Sequence, residues 1–292
     1  MAQPTGRSTR SAIVRRRIGV VFRYFCMTLT WFGVIMLLLL LWDMFRGGMR
    51  HLSLDFLLSF PQPTPEESGV WSGIMGTVWV VGATGLISIP VGVGAAVFLE
   101  EYAPSGPFMT FIEVNISNLA GVPSVIYGIL GLAMFVRFFI LGRSVIAAAF
   151  TMSLLILPIV IISSREAIRA VPDSVRQAAF ALGASRWQTI WYHVLPASIP
   201  GILTGVILSI SRAIGETAPL LVVGAFTFMP YAPNGIMDKF TVLPVQIYGW
   251  AKRPQEEFQY LAASAIIVLL VVLLIMNSLA IWIRYTFQQE NQ

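Results

Sequence analysis

The sequence predicts an all-α membrane protein with six transmembrane helices, and three observations carry that prediction. Of the 292 residues, 57% are hydrophobic and only 11% are Asp, Glu, Lys or Arg, whereas a soluble domain is about a quarter charged. Mean hydropathy is +0.78. The apolar residues gather in six runs, each close to the roughly 20 residues that a helix needs to cross the hydrocarbon core. A cytosolic enzyme with so few charges could not cover its own surface.

The first run extends from about Tyr24 to Phe45. It is too long for a cleaved signal peptide, and Trp42-Asp43-Met44 offers no small-residue cleavage site, so it reads as a retained helix. The second run covers about Gly73 to Leu99 and contains Pro90. The third, about Ile116 to Phe139, opens in the mixed stretch from Ser117 to Ser124. The fourth spans about Ser144 to Ser163, the fifth about Ile199 to Phe228 and the sixth about Tyr260 to Trp282.

Arg7, Arg10, Arg15, Arg16, Arg17 and Arg23 precede the first run. The positive-inside tendency therefore puts the N-terminus in the cytoplasm, and six crossings bring the C-terminus to the same side. Loops at about 46–70, 140–143 and 229–258 then face outward. Pro61, Pro63 and Pro65 keep the first of them extended, and Thr241 to Trp250 reads as a short helix lying at the surface. The organisation expected is a basic tail at 1–23, a first helix with its outer loop at 24–70, a helical membrane domain at 71–285 with an internal loop at 164–196, and a tail at 286–292.

That internal loop is the most informative part outside the membrane. Pro172 followed by Asp173 is a helix start, with the Asp side chain able to cap free N–H groups. Val175, Ala178, Ala179 and Leu182 recur at helical spacing. Gly183 stops the helix, and Ser185 can cap a second one through Trp187, Ile190 and Trp191 until Pro196. Two short helices thus form a knob. It either lies in the lipid headgroups, which suits the tryptophans, or meets a partner, which suits the small Ala178-Ala179 pair.

From Ala197 to Met229 only Arg212 and Glu216 are ionisable. A central charge in a membrane helix costs about 2.5–3.5 kcal/mol on translocon scales, and the i, i+4 spacing allows the two to pair. Arg is a fork of donors matched to phosphate-like oxygens, so the pair is a candidate anion site. A structural salt bridge between helices is the alternative, and the two do not exclude each other. Gly215 and Pro219 interrupt the helix beside the pair and would free backbone groups to line a cavity.

Two motifs carry a family resemblance. Gln177-Ala178-Ala179, then Gly183, then Leu195-Pro196 resembles the E-A-A-x-x-x-G loop of bacterial ABC-importer permeases, with Gln177 in place of the usual Glu. Ser211-Arg212-Ala213-Ile214-Gly215-Glu216-Thr217-Ala218-Pro219-Leu220-Leu221 resembles the matching segment of the phosphate-importer permeases. Gly121 to Gly128, Leu243 to Tyr248 and Met276 to Arg284 resemble that family as well. The Thr-Ala-Pro-Leu-Leu continuation and the Met-Asn-Ser-Leu-Ala tail point to its PstA branch over its PstC branch.

The resemblance implies a type I ABC-importer permease fold with a MetI-like transmembrane domain in the cell inner membrane. It implies that Gln177, Ala178, Ala179, Gly183 and Ala184 couple to a separate ATPase. It also implies that Arg212, Glu216 and Thr217 line the path of inorganic phosphate. The expected partners are a second, PstC-like permease, a dimeric PstB-like ATPase that binds ATP and Mg, an external PstS-like phosphate-binding protein, and the lipid bilayer. No cofactor is expected in this chain.

The remaining residues exclude other classes. Lys239 and Lys252 are the only lysines, and neither follows a glycine, so no Walker-type phosphate loop is present. One cysteine and two distant histidines, His51 and His193, make neither a disulfide scaffold nor a metal set. A net charge of +5, concentrated in the N-terminal tail, does not suit nucleic acid. Glu100-Glu101 reads most simply as a solvated helix end, with a contact to neighbouring helices the alternative that the permease resemblance implies, and Arg137 and Arg143 read as snorkelling residues at a turn. A secondary transporter using Arg212 and Glu216 as an ion relay is the rival reading, and a permease for another oxyanion is the nearest one. The first would show inverted repeats, and none is evident.

Overall fold

The computed structural model describes residues 7–104 and 106–289. In chain order the helices are α1 (Arg7–Gly48), α2 (Leu54–Leu58), α3 (Trp71–Val97), α4 (Pro107–Ala120), α5 (Ser124–Gly131) and α6 (Val145–Arg169). There follow α7 (Asp173–Ala181), α8 (Arg186–Thr189), α9 (Leu195–Gly215), α10 (Ala218–Val223), α11 (Leu243–Ala251) and α12 (Glu256–Gln289). Turns of π-helix extend α3 over Phe98–Tyr102 and α5 over Leu132–Phe138, and join α8 to α9 over Ile190–Val194. Five helices are long and apolar enough to cross a membrane, and a sixth crossing arises if the bent pair α4–α5 counts as one span.

The third run is therefore not one straight helix. It breaks at Gly121–Pro123 with a bend of 100°, and its first half starts earlier than the apolar run, at Pro107. Pro123 has no N–H to give and pushes Val122 out of the helical region. The fifth run breaks too. Pro219 in a continuous helix would strike the carbonyl of Gly215, four residues back, and α9 ends at Gly215, before α10 begins at Ala218.

The core forms around α6, which packs on α3 and α9 and touches α4, α5 and α10. Its buried residues include Ala148, Met152, Leu155, Ile156 and Val160. Close crossing is possible because small residues face each other, as in membrane helix pairs generally. A Cβ on Gly205 of α9 would lie 2.0 Å from the hydroxyl of Ser163 in α6.

Toward the other end, α11 is wedged between α3 and α12 instead of lying at the surface as the sequence suggested. Leu243, Pro244, Val245, Gln246 and Trp250 are buried; Leu243 and Trp250 join a cluster with Phe56, Val70, Phe258 and Leu261, and Val245 packs into the cluster around α6. Two polar contacts make that burial tolerable. The Gln246 amide donates to the Gly69 carbonyl at 2.9 Å, and the Leu243 N–H donates to the Thr77 hydroxyl at 3.0 Å. By contrast, the described side chains of α1 are covered mainly at its far end, where Ser264 donates to the Gly48 carbonyl at 2.6 Å. Its apolar side chains from Ile18 to Leu40 lie uncovered, as suits lipid.

Candidate functional site

Arg212 stands in the last turn of α9 and Glu216 just past its end, in extended backbone. The two are thus not i, i+4 neighbours on a continuous helix, as the sequence suggested, but they still meet: Arg212 Nε lies 3.4 Å from Glu216 Oε1. The contact is long and leaves most of the donor fork unused. The Arg212 side chain is 47% exposed and that of Glu216 17%. Thr217 follows, half-buried. Beside them the Ser211 hydroxyl sits between the Ile207 carbonyl and the Asn277 side chain, which joins two of the segments that carried the resemblance.

The break between α4 and α5 lies beside this one. Gly128 of α5 packs so closely on α10 that a Cβ there would lie 2.7 Å from Cα of Pro219. Tyr127 spans its own break, its hydroxyl donating to the Leu119 carbonyl at 2.7 Å. Tyr127, Ala213 and Leu220 share one buried cluster with Val122 against it. Two interrupted spans are therefore held break to break, with Gly121, Pro123, Arg212 and Gly215 exposed. Broken spans of this kind are tolerated in membranes where they line a cavity or a protein interface.

At the other end of α9 stands the helical knob. Pro172, not Asp173, occupies the cap position of α7, and no side chain caps it; Asp173 instead pairs with Arg176 at 3.3 Å. The stop at Gly183 is as expected, and its cause is visible. Gly183 has φ +84°, and its N–H bonds the Phe180 carbonyl while that of Ala184 bonds the Ala179 carbonyl, a Schellman ending that glycine favours. Ser185 and Gln188 form the reciprocal capping box of α8. Pro196 ends nothing; it sits in the first turn of α9, where a missing N–H is harmless.

Gln177, Ala178 and Gly183 lie on the exposed side of the knob, Ala184 is half-buried, and Ala179 turns inward. The apolar stripe expected on α7 is divided accordingly. Val175 and Ala179 face the protein, whereas Ala178 and Leu182 face out. Leu182 is 89% exposed, with Phe180, Trp187 and Trp191 also uncovered.

A charge cluster under the knob escaped the sequence reading. Glu100 accepts from Arg165 at 2.8 Å and from Arg169 at 3.0 Å; Arg165 also donates to Glu113 at 2.7 Å. Glu101 accepts from Arg176 at 2.7 Å and is buried. The Glu100–Glu101 pair is thus no solvated end but a junction of α3, α4, α6 and α7. Its partners lie 65 to 75 positions away in the chain, so no local pattern could announce it. Among the described residues, no three His, Cys, Asp or Glu side chains converge as a metal set.

Crossings built around a central α6, one of them a bent pair, with a helix pair at one end, make a multi-pass helical membrane protein, and its fold is that of ABC-importer permeases. The chain belongs to the family of binding-protein-dependent transport system inner membrane components, whose model matches residues 88–288. It is 31% identical over 292 residues to "Phosphate transport system permease protein PstA 1" of Mycobacterium tuberculosis (strain ATCC 25618 / H37Rv), covering 97% of this chain and 93% of that one. It is 35% identical over 262 residues to "Phosphate transport system permease protein PstA" of Haemophilus influenzae, covering 89% and 90%. In fold it matches the crystal structure of a bacterial ABC transporter involved in the import of the acidic polysaccharide alginate. The TM-score there is 0.63 at 16% identity, over 95% of this chain and 99% of that one.

Proposed function

We propose that this chain is one of two permease subunits of an ATP-driven phosphate importer, and that Arg212, with Glu216 and Thr217, lines the path of the anion. One observation carries the reading: the guanidinium of Arg212 stands half-exposed at a break in a span, with most of its donors free. Similarity to PstA permeases along nearly the whole chain supports phosphate as the anion. A charge in a membrane span is a functional candidate by default, and the Arg fork suits phosphate oxygens in geometry and charge.

The flank that exposes Gly121, Pro123, Arg212 and Gly215 is then where a second, PstC-like permease closes the pathway. The knob faces the cytoplasm, as do both termini, and Gln177, Ala178 and Gly183 present its docking surface to a PstB-like ATPase that binds ATP and Mg. Exposed Leu182 and Phe180 supply the apolar contact that such a surface needs. An external PstS-like protein delivers phosphate at the opposite end.

The test is Arg212→Gln in the assembled transporter, with radiolabelled phosphate uptake read beside membrane insertion. Uptake should fall by about two orders of magnitude, the scale expected when a charged partner of a bound ion is truncated, while insertion stays normal. Unchanged uptake would remove Arg212 from the pathway. Competition by sulfate or molybdate at concentrations equal to phosphate distinguishes a phosphate permease from one for another oxyanion.

A further inference from the structure

Arg176 lies one position before the segment that resembles the coupling motif, and that resemblance assigns it no role. Its side chain is only 16% exposed, and that of Glu101, its partner, 9%. Nη2 and Nε both reach Glu101 Oε1, at 2.7 and 3.1 Å. Nη1 donates to the Val171 carbonyl at 2.7 Å, and Nη2 also to that of Ile168 at 3.1 Å. One guanidinium on α7 therefore grips the end of α3 through a carboxylate, the end of α6 through the Ile168 carbonyl, which also accepts from the Val171 N–H, and the turn after it through the Val171 carbonyl. Glu100, the next residue on α3, is joined to Arg165 and Arg169 of α6, and Arg165 to Glu113 of α4. Helix α4 ends at the break beside Tyr127 and Arg212.

The mechanics follow from what α7 would be without that grip. It has nine residues, too few to be stable alone, and half of its apolar stripe faces outward. Its covalent link to α6 is the short turn Ala170-Val171-Pro172. A push on its outer face would be absorbed in that turn before it reached α3. A buried, forked ion pair resists such slack, because separating it exposes two charges to a poor solvent.

We infer that Arg176 is a positioning residue for transport: through Glu101 it fastens the knob to α3 and α6, so that movement of α7 is carried to the ends of the spans and through Glu113 to α4. This rests on the reading of the knob as the ATPase-docking element. The experiment uses the complete transporter reconstituted in vesicles and measures three quantities: ATPase association, ATP hydrolysis, and phosphate moved per ATP hydrolysed. Arg176→Gln should keep the first two and lower the third about tenfold, within the range of coupling between residues in contact. Glu101→Gln should do the same, and the double variant should be no worse than either single one. Should Arg176→Gln not accumulate in the membrane, Glu101→Gln and Arg176→Lys decide by the same ratio, since the lysine keeps the charge and loses the fork. A wild-type ratio in the variants overturns the inference, as do effects that multiply in the double variant or a loss of ATPase association. A wild-type transporter that neither bound the ATPase nor moved phosphate would instead overturn the functional reading, and this inference with it.

Discussion

The charge cluster under the knob and the Arg212–Glu216 pair use the same side chains in opposite ways. Arg165 and Arg176 each have two or more partners at 2.7–3.3 Å and are less than a fifth exposed. Among the described residues Arg212 has one partner, at 3.4 Å, and it is nearly half exposed. A guanidinium offers five donors. In the cluster more of them go to the protein itself, at two nitrogens of Arg165 and three of Arg176, and at the broken span most are held open. The first arrangement is suited to joining helices and the second to receiving an anion.

Truncation should separate the two regions sharply. Arg165→Ala leaves Glu100 short of one partner and Glu113 with none, in surroundings where each is largely covered. A loss on the order of 3–5 kcal/mol is expected from breaking a buried pair in this way, read as a shifted unfolding midpoint in detergent. Arg212→Ala removes one long contact of a half-exposed guanidinium but leaves the Glu216 carboxylate, 17% exposed, without it, so it should cost about 1–3 kcal/mol, less than Arg165→Ala, yet phosphate uptake should disappear. Equal destabilisation by the two variants would break the comparison.

The contact between the two broken spans comes next. A side chain at Gly128 has no room against Pro219, so Gly128→Leu must part α5 from α10, at about 1–3 kcal/mol for overpacking. Because both breaks sit on that contact, uptake should fall more than the loss of stability explains. Parallel measurement of uptake and of the amount of folded protein checks this.

The difference between the regions also explains what was legible in the sequence. Five of the apolar runs hold helices long and apolar enough to cross, and the third holds the bent pair that makes a sixth if it is one span, because hydropathy acts locally and the bilayer demands a fixed length. Arg212 and Glu216 stood out because they are the only charges in a long apolar stretch, and Pro219 announced the break beside them. Where that break falls, and that Glu216 lies beyond the helix, depended on a clash between Pro219 and the preceding turn. The cluster was illegible for the converse reason. Glu100, Glu101 and Arg165 sit near helix ends and Arg176 on a short loop helix, where a charge needs no special explanation, and the Glu–Arg partners come from distant elements. Burial of α11 was equally hidden, since an apolar stretch in a loop reads the same whether it lies on the surface or is drawn under α12.

The knob gives a smaller test. Gly183 closes α7 at φ +84° with nothing near its missing side chain, so Gly183→Ala meets backbone strain alone, about 1–2 kcal/mol. That should loosen the end of α7 and weaken ATPase association several-fold in pull-down. Gly183→Asp adds a charge to the docking face and should uncouple the ATPase while the chain still inserts. If both variants associated normally, the knob would be a linker at the membrane surface.

The smallest effect concerns Glu216, and it bears most directly on why the open pair is a pair at all. An unopposed Arg212 would attract phosphate strongly and release it slowly. A carboxylate 3.4 Å away competes for the same donors, so on the proposed reading it would weaken binding and offer the guanidinium a partner once the anion had left. Glu216→Gln keeps the shape and a hydrogen-bonding oxygen but removes that competition. Stability should change by less than about 1 kcal/mol, as for other partly exposed pairs. Uptake should show a lower KM and a lower maximal rate, each by a few-fold. That pattern marks an interaction that weakens the bound state to speed departure. A higher KM at unchanged maximal rate would mean instead that Glu216 orients Arg212 toward phosphate, making the pair a binding device and not a release device.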